Sequence, residues 1–349
     1  MTETFRVLRL ARRPDGLPVP EDFDLTEERV PAPGPGQVLI RNYWMSVDPL
    51  MRVRMGERTG AAHVPPFALG QALDGSAVGR VVASGSDRFT VGDCVLNPGA
   101  WQEMILMDEG DGGWFDPIKV EVPDWLDERH FLGVLGVSGL TAYAGLRHVA
   151  ELEQGQTVYV SAVGGAVGGV AAQLAVAWGH PVVASAGSPA KVARAMEQFG
   201  VTAAFDHHDG DVTELLAEAA PDGIDVYYDN VGGRHLEAAL EALRHRGRVV
   251  LCGQVSTVGS AEPTGPRNLM QAIFKGVRLE GFMVRNHVRR WPEYIREAQG
   301  LMSEGRLALE ETTYAGLESA PTAIADMLAG RTNGKVSVGL LPETDEVAS

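Results

Sequence analysis

Gly165 and Gly168 stand between an alternating β-rich run, Thr157 to Ala162, and a Gly/Ala-rich apolar stretch; a second β-rich run follows from Pro181 to Ala186. Strand, glycine turn, helix and strand within about 30 residues is the layout of a βαβ unit that cradles a dinucleotide. Without a Cβ at these positions, backbone can approach a pyrophosphate and the helix can lie close to its strand. The amides of Ala166 and Val167 would open that helix toward the phosphates, with the helix dipole behind them. A strict G-x-G-x-x-G would need glycine at Val163, so the pattern here is Ala162, Gly165, Gly168. By itself such a turn also fits a buried glycine-rich helix with no ligand. Its apolar run contains Gln173 and leads straight into a strand, unlike a membrane span.

The end of the second strand narrows the cofactor. A free ribose 2′-hydroxyl usually meets Asp or Glu about 20 residues past the glycines. Here the segment reads Ala186-Gly187-Ser188-Pro189-Ala190-Lys191, without an acid. Space, a hydroxyl and a cation suit a 2′-phosphate, which favours NADP(H) over NAD. Two more glycine loops, Asp229-Asn230-Val231-Gly232-Gly233 and Cys252-Gly253-Gln254-Val255-Ser256-Thr257, follow predicted strands. In an open α/β sheet the ligand lies beyond the carboxyl ends of strands, so both loops are expected to line the crevice.

The elements that must position these loops read clearly. Strands are predicted at 157–162, 181–186, 203–206, 224–228, 247–252 and 277–284, with helices at 166–178, 189–199, 211–219, 233–243 and 267–275 between them. Six strands separated by helices make a doubly wound parallel α/β sheet of Rossmann type. Upstream, short β-like runs at 4–12, 37–47, 76–83, 93–96 and 101–107 are punctuated by Gly and Pro, the mark of a β-rich, barrel-like domain. A helix at about 289–304 and a last strand at 335–341 complete the chain, and that strand is expected to return to the N-terminal domain. The expected division is therefore 1–126 with 312–349, and 127–311.

Composition limits the function classes. A 349-residue chain with a formal net charge of −16 is unsuited to binding nucleic acid. Two cysteines, Cys94 and Cys252, build neither a disulfide framework nor a cysteine-rich zinc site. Residues 1–30 are charged throughout, with no signal-peptide core, which predicts a cytoplasmic protein with no membrane partner.

The chain resembles the zinc-independent branch of the medium-chain dehydrogenase/reductase superfamily, which holds leukotriene B4 12-hydroxydehydrogenases, prostaglandin reductases, double-bond reductases and curcumin reductase-like enzymes. The resemblance rests on Ser46-Val47-Asp48-Pro49 with Met51-Arg52-Val53-Arg54-Met55, on Gly139-Leu140-Thr141-Ala142-Tyr143, on Gly165 to Gly168, on Tyr228 to Gly233 and on Glu280-Gly281-Phe282-Met283-Val284. It implies a GroES-like catalytic domain beside the Rossmann domain, a homodimer, and NADPH-dependent reduction of the C=C bond of α,β-unsaturated ketones or aldehydes. It places Gly165, Ala166, Val167 and Gly168 at the adenosine phosphates, with Gly187, Ser188 and Lys191 near the 2′-phosphate. Asn230, the loop Cys252, Gly253, Gln254, Val255, Ser256 and Thr257, and Phe282, Met283 and Val284 match cofactor contacts. Val137 and Thr141 match residues beside the nicotinamide.

Departures from the family pattern matter as much. His207 replaces a common Tyr on the adenine side, and Asn333 matches the family's N-x-G-K one place out of register. Two family tyrosines that could touch the substrate oxygen are Phe274 and Leu50 here, so no side chain is assigned as catalytic. Trp44, Met45, Leu50 and Phe282 are the expected apolar substrate pocket for a small-molecule enone; their other reading is plain core. Tyr43 and Tyr143, the alternative hydroxyl donors, are read as core. At the zinc branch's ligand positions the chain has Met45-Ser46-Val47-Asp48 and Gly70-Gln71-Ala72, short of the three or so ligands catalytic zinc needs, so no metal is expected. His207 and His208, taken as strand residues, would send their rings to opposite faces and read as a solvated pair. A quinone oxidoreductase, and a nucleotide-binding protein without catalysis, remain the competing readings.

Overall fold

Alternation of apolar and polar residues builds the strands, and Gly/Pro clusters end them. The computed structural model describes residues 3–59, 64–110, 116–257 and 265–340. The chain divides into two compact units, Met1–Gly133 with Glu311–Ser349, and Val134–Glu310.

In chain order, β1 (Thr4–Leu10) pairs antiparallel with β2 (Phe23–Arg29). Then come β3 (Gln37–Val47), α1 (Pro49–Arg54), β4 (Ala77–Ser84), β5 (Cys94–Asn97), β6 (Met104–Asp108) and β7 (Ile118–Lys119). The second unit runs α2 (Val137–Ala144), β8 (Val158–Val160), α3 (Ala166–Ala177), β9 (Val182–Ala186), α4 (Pro189–Glu197), β10 (Ala203–Asp206) and α5 (Val212–Ala219). It continues with β11 (Ile224–Asp229), α6 (Gly233–Ala242), β12 (Leu243–Leu251), α7 (Met270–Lys275), β13 (Arg278–Gly281) and α8 (Trp291–Ser303). The chain then returns to the first unit as β14 (Glu311–Ala315), α9 (Ala320–Leu328) and β15 (Lys335–Gly339).

The first unit holds a seven-stranded sheet in the order β14-β15-β3-β4-β5-β7, with β6 also on β3; β14 and β15 are parallel and the other pairs antiparallel. Its core gathers Leu10, Phe23, Met45, Trp101, Ile324 and Val338. The second unit's sheet is wholly parallel, β10-β9-β8-β11-β12-β13. Numbered within that unit the order is 3-2-1-4-5-6, the doubly wound arrangement, and its core stacks Tyr159, Tyr227, Val183, Leu216 and Leu240.

Some elements depart from the sequence expectations. The run expected from Trp101 begins only at Met104, because Trp101 takes a left-handed φ of 64°. The first unit reaches Gly133 rather than residue 126, since the turn Glu128–Leu132 is tied to it by Arg80–Glu128 (2.9 Å) and Arg129–Glu311 (2.8 Å). Among the described residues, no helix is long and apolar enough to cross a membrane.

Candidate functional site

Every strand of the second unit points its carboxyl end to one edge, and sequence order reverses between β8 and β11, where such sheets open a crevice. The glycine turn follows β8. Gly165 caps α3 in an extended conformation (φ −100°, ψ 169°), and an added Cβ there would sit 3.3 Å from the Ala162 oxygen. At Gly168 the same atom would lie 2.3 Å from that oxygen, so only glycine lets α3 pack this closely on the strand end. Gly168 is thus a packing glycine, while Gly165 leaves the start of α3 sterically open. Ala162, the first residue of the motif, carries a left-handed φ of 52° without being glycine.

At the end of β9, Ser188 caps α4: its Oγ accepts from the Lys191 amide at 3.4 Å, which leaves its O–H to donate. The Lys191 stem folds back over the glycine turn; a Cβ on Gly164 would come within 2.7 Å of its Cδ. Burial lowers the Lys191 amine's pKa, Glu310 works against that shift, and Arg194 adds to it. Arg194 is ion-paired with Glu310, so two cations and one carboxylate share this corner.

Beyond β11 and β12, the two glycine loops are stitched into one rim. Asp229 Oδ1 accepts from the Val231 amide (3.0 Å), the Gly232 amide (2.7 Å) and Tyr227 Oη (2.7 Å). Its carbonyl takes the amides of Cys252 (2.9 Å) and Gly253 (3.0 Å), and Val255 N donates to Asn230 O at 3.2 Å. Asn230 is held twice by Ser161, its amide donating to Oγ (3.0 Å) and its Nδ2 to the backbone oxygen (2.8 Å). Ser161 and Tyr227 carry no ligand signal in the sequence, whereas Asp229 opens one of the two glycine loops expected to line the crevice. Tyr227 lies inside β11 and Ser161 directly follows β8, positions that read as ordinary strand residues. Burial raises the Asp229 carboxyl's pKa, while the amides of Gly232 and Val231 and the Tyr227 hydroxyl pull it down.

On α2, Thr141 Oγ1 donates back to Val137 O (2.6 Å), and Tyr228 Oη from β11 donates to Thr141 O (2.8 Å), fixing this helix to the strand beside the crevice. Phe282, Met283 and Val284 leave the end of β13, with Phe282 edge-on to His287 at 5.9 Å. Gly187, Ser188, Lys191, His207, Asn230 and the 252–257 loop therefore leave the same sheet edge as Gly165 to Gly168. In the first unit, Asn333 is fixed by its backbone to Thr312 (2.9 and 3.0 Å).

Of the residues expected in the substrate pocket, Trp44, Met45 and Leu50 lie in the first unit and differ in burial. Met45 is fully buried among the core residues of its unit, its Sδ accepting from Trp101 N at 3.2 Å, so it is core rather than pocket wall. Trp44 lines a cavity of about 640 Å³ in that unit with Tyr43, Arg80, Glu128 and Tyr314, so the Arg80–Glu128 pair stands in a wall that also holds apolar residues such as Val122 and Leu126. Leu50 is 52% exposed on α1, and Phe274 is 67% exposed on α7. Tyr143 Oη donates to Glu293 (2.9 Å) and its ring packs on Tyr294 and Trp178, with its pKa pushed up to about 12, chiefly by burial.

One expectation fails outright. His207 and His208 do not diverge: their ring centroids are 4.1 Å apart. Strand β10 ends at Asp206 and the chain turns there, Asp209 N donating to Asp206 O at 3.1 Å, so strand alternation no longer applies.

A model described as the N-terminal domain of oxidoreductase matches residues 6–112, and one described as zinc-binding dehydrogenase matches residues 166–300. The chain is 38% identical over 339 residues to the NADPH-dependent curcumin reductase of Escherichia coli, covering 94% of this chain and 95% of that one. It is 36% identical over 303 residues to the NADP(+)-dependent 2-alkenal reductase of Nicotiana tabacum, covering 86% and 87%. The crystal structure of CurA from Vibrio vulnificus in complex with NADPH matches with a TM-score of 0.88 at 31% identity, covering 97% of this chain and 99% of that one. With these relatives spanning nearly the whole chain, and the zinc branch's ligand positions held by other residues, it belongs to the zinc-independent branch of the medium-chain dehydrogenase/reductase superfamily, alongside the curcumin, 2-alkenal and prostaglandin reductases.

Proposed function

We propose that this protein reduces the C=C bond of an apolar α,β-unsaturated ketone or aldehyde with NADPH, hydride being delivered to the β-carbon. The chain is an NADP-dependent oxidoreductase acting on carbon–carbon double bonds. The observation that carries the cofactor is the β9 corner, where Ser188 and Lys191 replace the usual acid and Lys191 lies across Gly164. NADPH supplies the hydride when bound. The chain's own residues hold and shape. Gly165 leaves the α3 amides open to a pyrophosphate, and Lys191 offers its charge to the 2′-phosphate. The Asp229–Ser161–Asn230 network keeps the rim rigid, so its donors need no reorganisation as reaction proceeds.

Negative charge grows on the substrate's carbonyl oxygen, which needs a donor. With Phe274 and Leu50 in place of hydroxyls, we assign that role to a ribose hydroxyl, a backbone amide or water rather than to a side chain. A homodimer through the α7–β13 edge fits the apolar side chains α7 exposes, Ile273 at 74% and Phe274 at 67%, beside β13, the last strand in the sheet order among the described residues.

The test is oxidation of NADPH and NADH with a 2-alkenal, an alkenone, a diarylheptanoid and a quinone. Turnover of an enone with NADPH, and far slower turnover with NADH, is expected. Rapid oxidation by the quinone alone overturns the enone reading, and NADPH binding without turnover of any substrate overturns the enzymatic one.

A further inference from the structure

We propose that the turn after β10 binds a divalent transition metal through the imidazoles of His207 and His208, supported by Asp206, and that the metal competes with the adenosine end of NADPH. The competition rests on the cofactor reading, which places His207 on the adenine side; the metal site does not.

The geometry is that of two ligands already oriented. A ligand atom from each of Asp206, His207 and His208 lies within 4.8 Å of the others. His207 Nδ1 is 2.6 Å from the Ala186 carbonyl oxygen, which can only accept, so Nδ1 carries the proton and Nε2 the lone pair. His208 Nδ1 is 3.0 Å from Asp206 Oδ1, and the same reasoning leaves its Nε2 as the lone-pair nitrogen. A histidine that ligates a metal through one nitrogen characteristically donates its other N–H to a carbonyl or carboxylate, and both partners are present here.

The two rings also lie together. A Cβ built on Gly187 would lie 3.0 Å from His207 Cε1 and 3.4 Å from His208 Cε1, so both rings pack over a residue that has no side chain. His235 stands edge-on to His207 at 5.1 Å; it is buried, and its Nε2 has no hydrogen-bond partner. Arg234 is the neighbouring cation that opposes a metal, and Asp206 the anion that offsets it. Two imidazoles with a carboxylate favour Zn²⁺, Cu²⁺ or Ni²⁺ over Mg²⁺ or Ca²⁺.

The test titrates the cofactor-free, full-length protein with Zn²⁺ by calorimetry and with Cu²⁺ by electron paramagnetic resonance, then repeats both with NADPH present. One saturable equivalent is expected, with nitrogen hyperfine coupling for copper, and His208→Gln should weaken it about tenfold or more. His208→Gln should leave the metal-free KM for NADPH within about twofold, as no cofactor contact is assigned to it. Absence of saturable binding, or binding that His208→Gln leaves unchanged, overturns the metal site. Binding that depends on His208 but is not weakened by NADPH upholds the site and overturns the competition, and with it the adenine-side placement of His207. Magnesium bound as tightly as zinc overturns the assignment of ligands.

Discussion

The two glycines of the β8–α3 turn have separable tasks, and replacing each with alanine separates them. In Gly168→Ala the new Cβ would begin 2.3 Å from the Ala162 oxygen, 2.9 Å from its carbonyl carbon and 3.0 Å from the Ser161 oxygen, all backbone atoms that cannot swing aside. Ordinary contact begins near 3.4 Å, so α3 must retreat by about 1 Å. Overpacking of this kind costs about 1–3 kcal/mol, and the gain in helix propensity returns about 0.5–1 kcal/mol. The net loss of about 1–2 kcal/mol corresponds to a fall in Tm of about 2–8 °C for a unit of this size. In Gly165→Ala the nearest atom is 3.3 Å away and the backbone angles suit any residue, so stability should change by about 0.5 kcal/mol at most. The methyl would instead stand where a phosphate approaches the helix amides. Weakening one charge-assisted bond by about 1.5 kcal/mol raises the Kd for NADPH at least about tenfold. Thermal unfolding without cofactor and a fluorescence titration with NADPH read the two effects. A Gly168→Ala protein as stable as the parent refutes the steric argument, and a Gly165→Ala protein that binds NADPH undiminished refutes the phosphate argument.

Lys191→Ala should raise the KM for NADPH about 10- to 100-fold and leave kcat/KM with NADH within about twofold; an equal loss with both cofactors contradicts a 2′-phosphate role. Ala162→Gly should relieve a left-handed alanine worth about 1 kcal/mol and raise Tm by about 2–4 °C, and a lower Tm refutes the strain. Burial pushes the His235 pKa down to about 3 from an ordinary 6.5, so below pH 6.5 the unfolded chain takes up a proton that the folded one refuses. Stability should therefore fall as pH drops through that window, by up to about 1.4 kcal/mol per pH unit. His235→Leu should flatten this limb in unfolding curves between pH 7 and pH 5, and an unaltered pH dependence counts against it.

Much was legible before any coordinates. Strand and helix periodicity located all six parallel strands, because apolar residues must recur at the period of the element they bury. The glycine turn and the acid-free segment from Gly187 to Lys191 pointed to NADP(H) from residue types alone. Tertiary structure decided what depends on atoms distant in sequence. Which glycine packs and which stays open follows from the path of Ala162 and Ser161, and only their coordinates separate Gly168 from Gly165. The rim around Asn230 depends on Ser161, some seventy positions earlier, and on Asp229 gathering the amides of two loops. Met45 became core and Phe274 became surface because a side chain's depth is set by what packs across from it, which periodicity does not encode. His207 and His208 came together because β10 stops at Asp206, and a strand's end is governed by the turn that follows it rather than by the strand's own pattern.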